Sequence, residues 1–209
     1  MTTAVPAPPK LLLERGKRIA IPANVWFIGT ANHDETTKDF ADKTFDRSHV
    51  MELPRKPAGV PPSKSVARDP IALSALEKAF DAARKTYGGP AEKAYSVLGG
   101  RLAEPLERHF RLGWGNRLER QAQAFIPVVL AAGGTVGEAL DHLLATKLLR
   151  KIRDRHDNAT AALEAVRKHI VDAWPDKTPE GTPAKSLRTL DGELRRLGSG
   201  ADVSSGAPA

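Results

Sequence analysis

The chain has 209 residues, of which 41% are hydrophobic and 27% charged, and its formal net charge is +7. That composition is typical of a globular protein with a real hydrophobic core, built as one ordinary domain or two small ones. The lack of cysteine excludes disulfides and thiolate metal sites. The sequence shows no signal-peptide pattern and no apolar run long enough to span a bilayer, so we expect a cytoplasmic protein without a membrane partner.

The N-terminal part of the sequence carries two strand signals. Residues 1–17 are predicted to be a disordered tail, and residues 24–30 then form a short apolar run that is typical of a buried strand in a parallel sheet. Residues 49–53 predict a second short strand, and residues 38–47 a short helix between the two. Two strands cannot make a stable doubly wound sheet, so we expect residues 18–54 to hold a truncated one.

Helical signals dominate from residue 69 to residue 197. Residues 55–68 are rich in proline and predict a linker. Asp69 and Pro70 are typical of a helix start, Gly88-Gly89 of its end, and a second helix is expected over residues 90–112, with a break near Gly99-Gly100.

Four more helices are predicted in the rest of the chain. Asn116 begins one that reaches residue 132, and Thr135 with Glu138 forms a capping box that opens the next, to about residue 155. The last two are expected over residues 159–174 and 183–197. Residues 198–209 are rich in Gly, Ser and Ala and predict a disordered tail.

The first predicted strand ends in Gly29-Thr30-Ala31-Asn32. This segment resembles sensor 1 of McrB-type AAA+ proteins, in the dynein-related and MoxR-like group. Other similar segments are the one around Asp46-Arg47 that carries an arginine finger (residues 45–53), the start of the sensor-2 helix (residues 112–118) and the next lid helix (residues 139–141 and 147–152).

The resemblance implies a mostly α fold with a small α/β remnant, namely a truncated AAA+ core of two or three strands followed by a helical lid. It implies that Asn32 and Arg47 are catalytic, that Arg117 and Asp34 contact the nucleotide, and that the protein itself holds no metal. The cofactor would be ATP or GTP with Mg²⁺. The partners would be AAA+ protomers at the Arg47 edge and, through a restriction-type assembly, DNA.

Elementary chemistry fits these roles but leaves alternatives open. A carboxamide at the end of a parallel strand faces the ligand crevice; the alternative for Asn32 is an Asx-turn, which the flanking match disfavours. An arginine finger contributes about 10³–10⁵ in rate, whereas Arg47 paired with Asp46 is also typical of a solvated surface. Arg117 suits phosphate binding from the lid, with Arg120 as its competitor. The acids next to His33 are interpreted as a solvated loop rather than a metal site.

The phosphate-binding motifs of an NTPase do not appear in the sequence. A P-loop needs Gly-x-x-x-x-Gly-Lys-Ser/Thr; Gly16-Lys17 has Leu11 where the first glycine belongs, and Ser63-Lys64-Ser65 has no glycine at the required offset. An apolar strand ending in Asp-Glu is missing too. We therefore expect the chain alone to be inactive as an ATPase or GTPase.

Three functions remain open at this level. In the first, the chain is an AAA+ fragment that supplies its sensor and finger residues to an intact partner. The second is a basic helical module that binds nucleic acid, and the third is a decayed gene fragment that folds only partly. The basic residues of the second hypothesis are Lys147, Arg150, Lys151, Arg153 and Arg155, with Arg195 and Arg196 near the C-terminus.

Overall fold

The structure, a computed structural model, describes residues 13–14, 18–19, 21–22, 24–30, 47–51, 69–153 and 159–204. The chain divides into two compact units, Met1–Asp39 and Phe40–Ala209. The described part is mostly helical, which confirms the predicted helical character of the chain.

The first unit contains a short antiparallel strand pair. Strand β1 (Leu13–Glu14) pairs with β2 (Arg18–Ile19), with Leu13 opposite Ile19. Residues 24–30 form no strand, and their apolar side chains are exposed, from 44% at Val25 to 91% at Ile28. The prediction of a buried parallel strand there is wrong. Such a strand needs parallel neighbours and covered faces, and the described part of this unit supplies neither.

The second unit is a helical bundle. A π-helical turn (Leu144–Leu148) and a 3₁₀ turn (Leu149–Lys151) continue the third helix without a break. Among the described residues, five complete helices are α1 (Leu73–Phe110), α2 (Asn116–Ala131), α3 (Val136–Leu143), α4 (Thr160–Ala173) and α5 (Ala184–Ser204). The predicted extents of α2 and α4 are confirmed, as is the predicted start of α5.

Aliphatic side chains from all five helices form one core. On α1, Leu98, Leu102 and Leu106 recur at helical spacing, and each is fully buried. Burying a leucine stabilises the fold by roughly 1.5–3 kcal/mol, so each such stripe is a major contribution to stability. The other fully buried members of this core include Ile126 on α2, Leu140 on α3, Leu163, Val166 and Ile170 on α4, and Leu190 on α5.

Helix α1 runs through two predicted breaks. It continues across Gly88-Gly89 and Pro90, although each glycine costs about 1 kcal/mol and the proline removes a backbone hydrogen bond. The buried leucines that follow outweigh these local costs. At the second predicted break, the indole of Trp114 lies over Gly99, where a Cβ atom would come within 2.6 Å of Trp114 Nε1. Gly99 therefore makes room for an indole inside an unbroken helix.

Two predicted helix ends and one predicted strand differ from the structure. Helix α1 begins after Ala72, whose backbone is extended and which offers no side-chain cap, so Asp69 is not the N-cap. Helix α5 continues to Ser204, so the start of the predicted disordered tail is helical. Residues 49–51 of the second predicted strand have no strand conformation; instead the His49 ring contacts Phe125 of the helical bundle.

Carboxylates accept hydrogen bonds from backbone N–H groups at the N-termini of two helices. The predicted capping box of α3 is confirmed: Thr135 Oγ1 accepts from the Glu138 backbone N–H at 3.1 Å, and Glu138 Oε2 accepts from the Thr135 N–H at 2.7 Å. Asp141 within α3 in turn caps α5. Its buried carboxylate, 4% exposed, accepts from the backbone N–H groups of Lys185 and Ser186 at 2.8 Å each and from Ser186 Oγ at 2.5 Å.

The loop after α4 closes tightly on the start of α3. Asp176 Oδ2 accepts from the Gly137 N–H at 2.8 Å, and Trp174 Nε1 donates to the Gly181 carbonyl at 2.6 Å. Burial tends to raise the pKa of Asp176, but hydrogen bonds from Thr178 and Gly137 lower it overall. Gly137 lies so close to Gly181 that a Cβ atom on it would be 1.9 Å from the Gly181 oxygen.

We expect Asp141→Asn to lower the free energy of unfolding by about 1–3 kcal/mol, because it removes a charged acceptor and buries an amide group against two backbone donors. Urea unfolding followed by circular dichroism measures the loss. The matched control is Asp191→Asn, which breaks the partly exposed Arg167–Asp191 pair at 2.8 Å and should cost less than about 1 kcal/mol. Equal losses for the two variants would contradict the capping role of Asp141.

Two glycine substitutions should change the free energy of unfolding in opposite directions. Gly137→Ala forces a methyl group against the Gly181 backbone and should cost about 2 kcal/mol or more. Gly192→Ala lies inside α5 with nothing within 4 Å of the new Cβ, and should raise stability by about 0.5–1 kcal/mol. Thermal unfolding of the two variants beside the parent measures both; a neutral Gly137→Ala would mean that the close approach is absent.

Candidate functional site

The predicted site residues divide between described and undescribed parts of the chain. Asn32 and Asp34 lie outside the described residues. Arg47 is helical and exposed, and Arg117 is exposed in the first turn of α2, as is Arg120. The structure gives Arg47 and Arg117 no ion pair with another described residue, so their roles stay predictions.

A cluster of aromatic rings forms directly after Arg47. The His49 ring lies 4.7 Å from the Phe125 ring of α2 and 4.8 Å from the His142 ring of α3, between centroids. Phe125 and His142 are themselves 5.4 Å apart. Each ring therefore lies close to the other two, and the His49 side chain contacts the helical bundle.

A buried lysine makes the second contact with the segment of residues 47–51. The Lys147 side chain, 5% exposed, donates from Nζ to the backbone carbonyl of Ser48. Lys147 lies in the π-helical turn, where Thr146 Oγ1 donates to the His142 carbonyl at 2.7 Å. Single π turns inside helices are rare and are frequently found at functional sites. We call the contacts of Ser48 and His49 with Phe125, His142 and Lys147 the clasp.

The electrostatics of the clasp favour neutral imidazoles. Burial, followed by the charges of His49, Lys185 and Lys147, lowers the pKa of His142 from 6.5 to about 4. Burial and the Lys147 ammonium also lower the pKa of His49. The His142 Nε2 atom is buried and has no hydrogen-bond partner among the residues that the structure describes. Near neutral pH the site therefore has two uncharged imidazoles beside two ammonium groups.

The chemistry of the clasp suits attachment better than catalysis. In the part of the chain that the structure describes, no carboxylate accepts a hydrogen bond from either imidazole, and Ser48 takes part in the clasp through its backbone carbonyl. Among the described residues no group of three or more His, Cys, Asp or Glu side chains could hold a metal ion. What the clasp provides is an attachment of Ser48 and His49 to the bundle, next to the exposed side chain of Arg47.

A small apolar cavity lies elsewhere in the bundle. Its volume is about 10 Å³, and its lining includes Tyr95, Trp114 and Leu118. That volume is comparable to a single water molecule, whereas pockets for small ligands measure about 300–1,000 Å³. A nucleotide does not fit in this cavity.

The basic residues of the nucleic-acid hypothesis do not share one regular helix face. Lys147 is buried in the clasp, and Arg150 and Lys151, in the 3₁₀ turn, are only partly exposed. Arg153 is exposed, and Arg155 lies outside the described residues. The change from π to 3₁₀ geometry rotates successive side chains away from the positions that a continuous α-helix would give them.

Sequence reasoning missed His142, Phe125 and the burial of Lys147. His49 and His142 are far apart in the chain and have no motif spacing that links them. The nearest signal was the run from Lys147 to Arg150, in which a lysine directly precedes two buried leucines. That pattern is compatible with a buried lysine but does not identify its partner.

No known protein-family model matches the chain, and no curated protein or solved structure matches it either. Within the described ranges, every helix is too short or too polar to cross a lipid bilayer.

We expect Lys147→Met to raise the pKa of both clasp histidines, because it removes an ammonium that disfavours their protonation. Histidine titration by NMR checks this, with Lys168→Met on the exposed face of α4 as the control.

The folded state keeps His142 neutral below its ordinary pKa of 6.5, so the unfolded state binds more protons. Stability is therefore full above pH 6.5 and falls as the pH drops toward about 4. Unchanged histidine titrations in Lys147→Met would contradict the electrostatic account.

Proposed function

We propose that this chain is the C-terminal part of a McrB-type AAA+ motor and that it supplies Arg47 and a helical lid to an intact partner protomer. The proposal rests on one observation: an exposed arginine directly precedes a piece of backbone that is attached to the bundle. Arg47 is exposed, while the next two residues are held by Lys147 and by the rings of Phe125 and His142.

An anchored backbone beside a free guanidinium is what a trans-acting arginine requires. The finger must reach the nucleotide of a neighbouring protomer, so its side chain has to be unoccupied in the isolated chain. Its base has to be rigid, because a misplacement of about 1 Å can cost a hundredfold in rate. The clasp supplies the rigidity and the exposure of Arg47 supplies the reach.

The exposed apolar side chains of residues 24–30 support the proposal that the sheet of a partner protein covers this segment. Trp26, Phe27 and Ile28 are 62%, 80% and 91% exposed. Large apolar side chains grouped in this way mark an interaction surface. In the proposed assembly, the parallel sheet of a partner covers this run, so that the residues after Thr30 reach the nucleotide site from its edge.

The helical bundle fits the role of a lid. Arg117 is exposed in the first turn of α2, where a guanidinium can bind a phosphate in bidentate geometry. The partner would hold ATP or GTP with Mg²⁺ in its own P-loop. Arg47 and Arg117 would then add positive charge as phosphoryl transfer proceeds.

The alternative of a nucleic-acid-binding module has weaker support. Its basic cluster includes Lys147, which is buried in the clasp and already donates to the Ser48 carbonyl. Contact with a phosphate backbone would require that lysine to leave the bundle.

The proposal is tested by isolating the chain, with a tag, from its own host in the presence of ATP or GTP. We expect a bound protein whose sequence contains a P-loop and an acidic strand ending in Asp-Glu. Nucleotide turnover by the complex should fall about 10³-fold or more with Arg47→Ala.

Arg101→Ala, which removes an equally exposed arginine from α1, is the control and should leave turnover unchanged. The chain alone should show no turnover. Absence of any P-loop protein from the complex, or equal turnover by Arg47→Ala and the control, rejects the proposal.

A further inference from the structure

Groups from several elements lie beside His142 or act on it electrostatically, and some of them also contact Ser48 and His49. His49 comes from the segment of residues 47–51, Phe125 from α2, Lys147 from the π-helical turn and Lys185 from the start of α5. Of these groups only Phe125 is unable to carry a charge. The neighbouring carboxylate of Asp141 is directed to the backbone of α5, where it accepts from Lys185 and Ser186.

This arrangement is stable only while the histidines are neutral. Protonation of both would bring four positive charges to this site: Lys147 is buried and His142 half-buried, whereas His49 and Lys185 are exposed. Like charges repel most where they are covered from water, here between His142 and Lys147, and much less once water enters. Separation of the segment from the bundle lets water in and relieves the repulsion.

Proton linkage gives the direction of the effect. In the closed clasp, burial and then the neighbouring charges hold the pKa of His142 at about 4, whereas in water the ordinary value is 6.5. The open form therefore binds more protons between these two values. A fall in pH through that range favours the open form, and a return to neutral pH favours the closed one.

We propose that the clasp is a pH-dependent attachment: protonation of His49 and His142 releases residues 47–51, and with them Arg47, from a bundle that stays folded. The release is local because the core stripes of the five helices do not include either histidine. The clasp operates in this way whether or not Arg47 acts on a nucleotide.

The absence of cysteine from the chain makes a direct test available. Met51→Cys places a single thiol on an exposed residue of the segment. A nitroxide attached there reports the mobility of the segment, and a label at Arg101→Cys in α1 reports the bundle. Circular dichroism, recorded on the same samples, measures helix content.

We expect the label at position 51 to be restrained at about pH 7.5 and mobile at about pH 4.5, reversibly, with helix content and the position-101 label unchanged. Replacing both histidines, His49→Phe with His142→Phe, keeps the aromatic contacts and removes the protonation sites. In that background the label should stay restrained at both pH values. His169→Phe, on the exposed face of α4, is the control and should leave the transition intact.

A label that is equally mobile at both pH values would overturn the proposal. It would be overturned equally by a transition that persists in the double-Phe variant, or by one that coincides with loss of helix. If the double variant does not fold, His49→Phe alone is informative, because that residue lies on the exposed segment. Its midpoint should then move to lower pH, and an unmoved midpoint counts against the clasp.

Discussion

The helical unit depends on a carboxylate that is buried at the start of another helix. Asp141 belongs to α3, yet its two oxygens accept hydrogen bonds from the first turn of α5. A buried carboxylate is costly unless it is fully hydrogen-bonded, and the N-terminus of a helix supplies both donors and a favourable dipole. Because Asp176 makes a similar contact with Gly137, α3 is tied at one end to the loop after α4 and in its middle to α5.

The same helix that is fixed in this way carries the clasp. His142 directly follows Asp141, and Lys147 lies one turn further along. Any shift of α3 relative to α5 would therefore move the groups that hold Ser48 and His49. The stability of the bundle and the position of Ser48 and His49 therefore depend on neighbouring residues of one helix.

Local signals in the sequence predicted what is local in the structure. The Thr135–Glu138 box was identifiable because both partners lie within one turn, and α2 and α4 followed from their apolar spacing. Gly88-Gly89 was misread as a helix end because the burial that carries α1 past it comes from distant helices. The apolar pattern at residues 24–30 indicates a need for burial but does not say what covers it. The clasp and the Asp141 cap escaped prediction because their partners are far apart in sequence.

Burial along α1 is uneven. Of its buried residues, only Ala83 precedes Pro90, and all the others lie between Ala91 and Phe110. Local opening costs least where few apolar contacts must be broken. The first turns of α1 should therefore fray while the second half remains closed, and their amide hydrogens should exchange with solvent much faster. The boundary between the two halves lies at Gly88, Gly89 and Pro90. One continuous helix therefore consists of a stable second half and a first half that opens more easily.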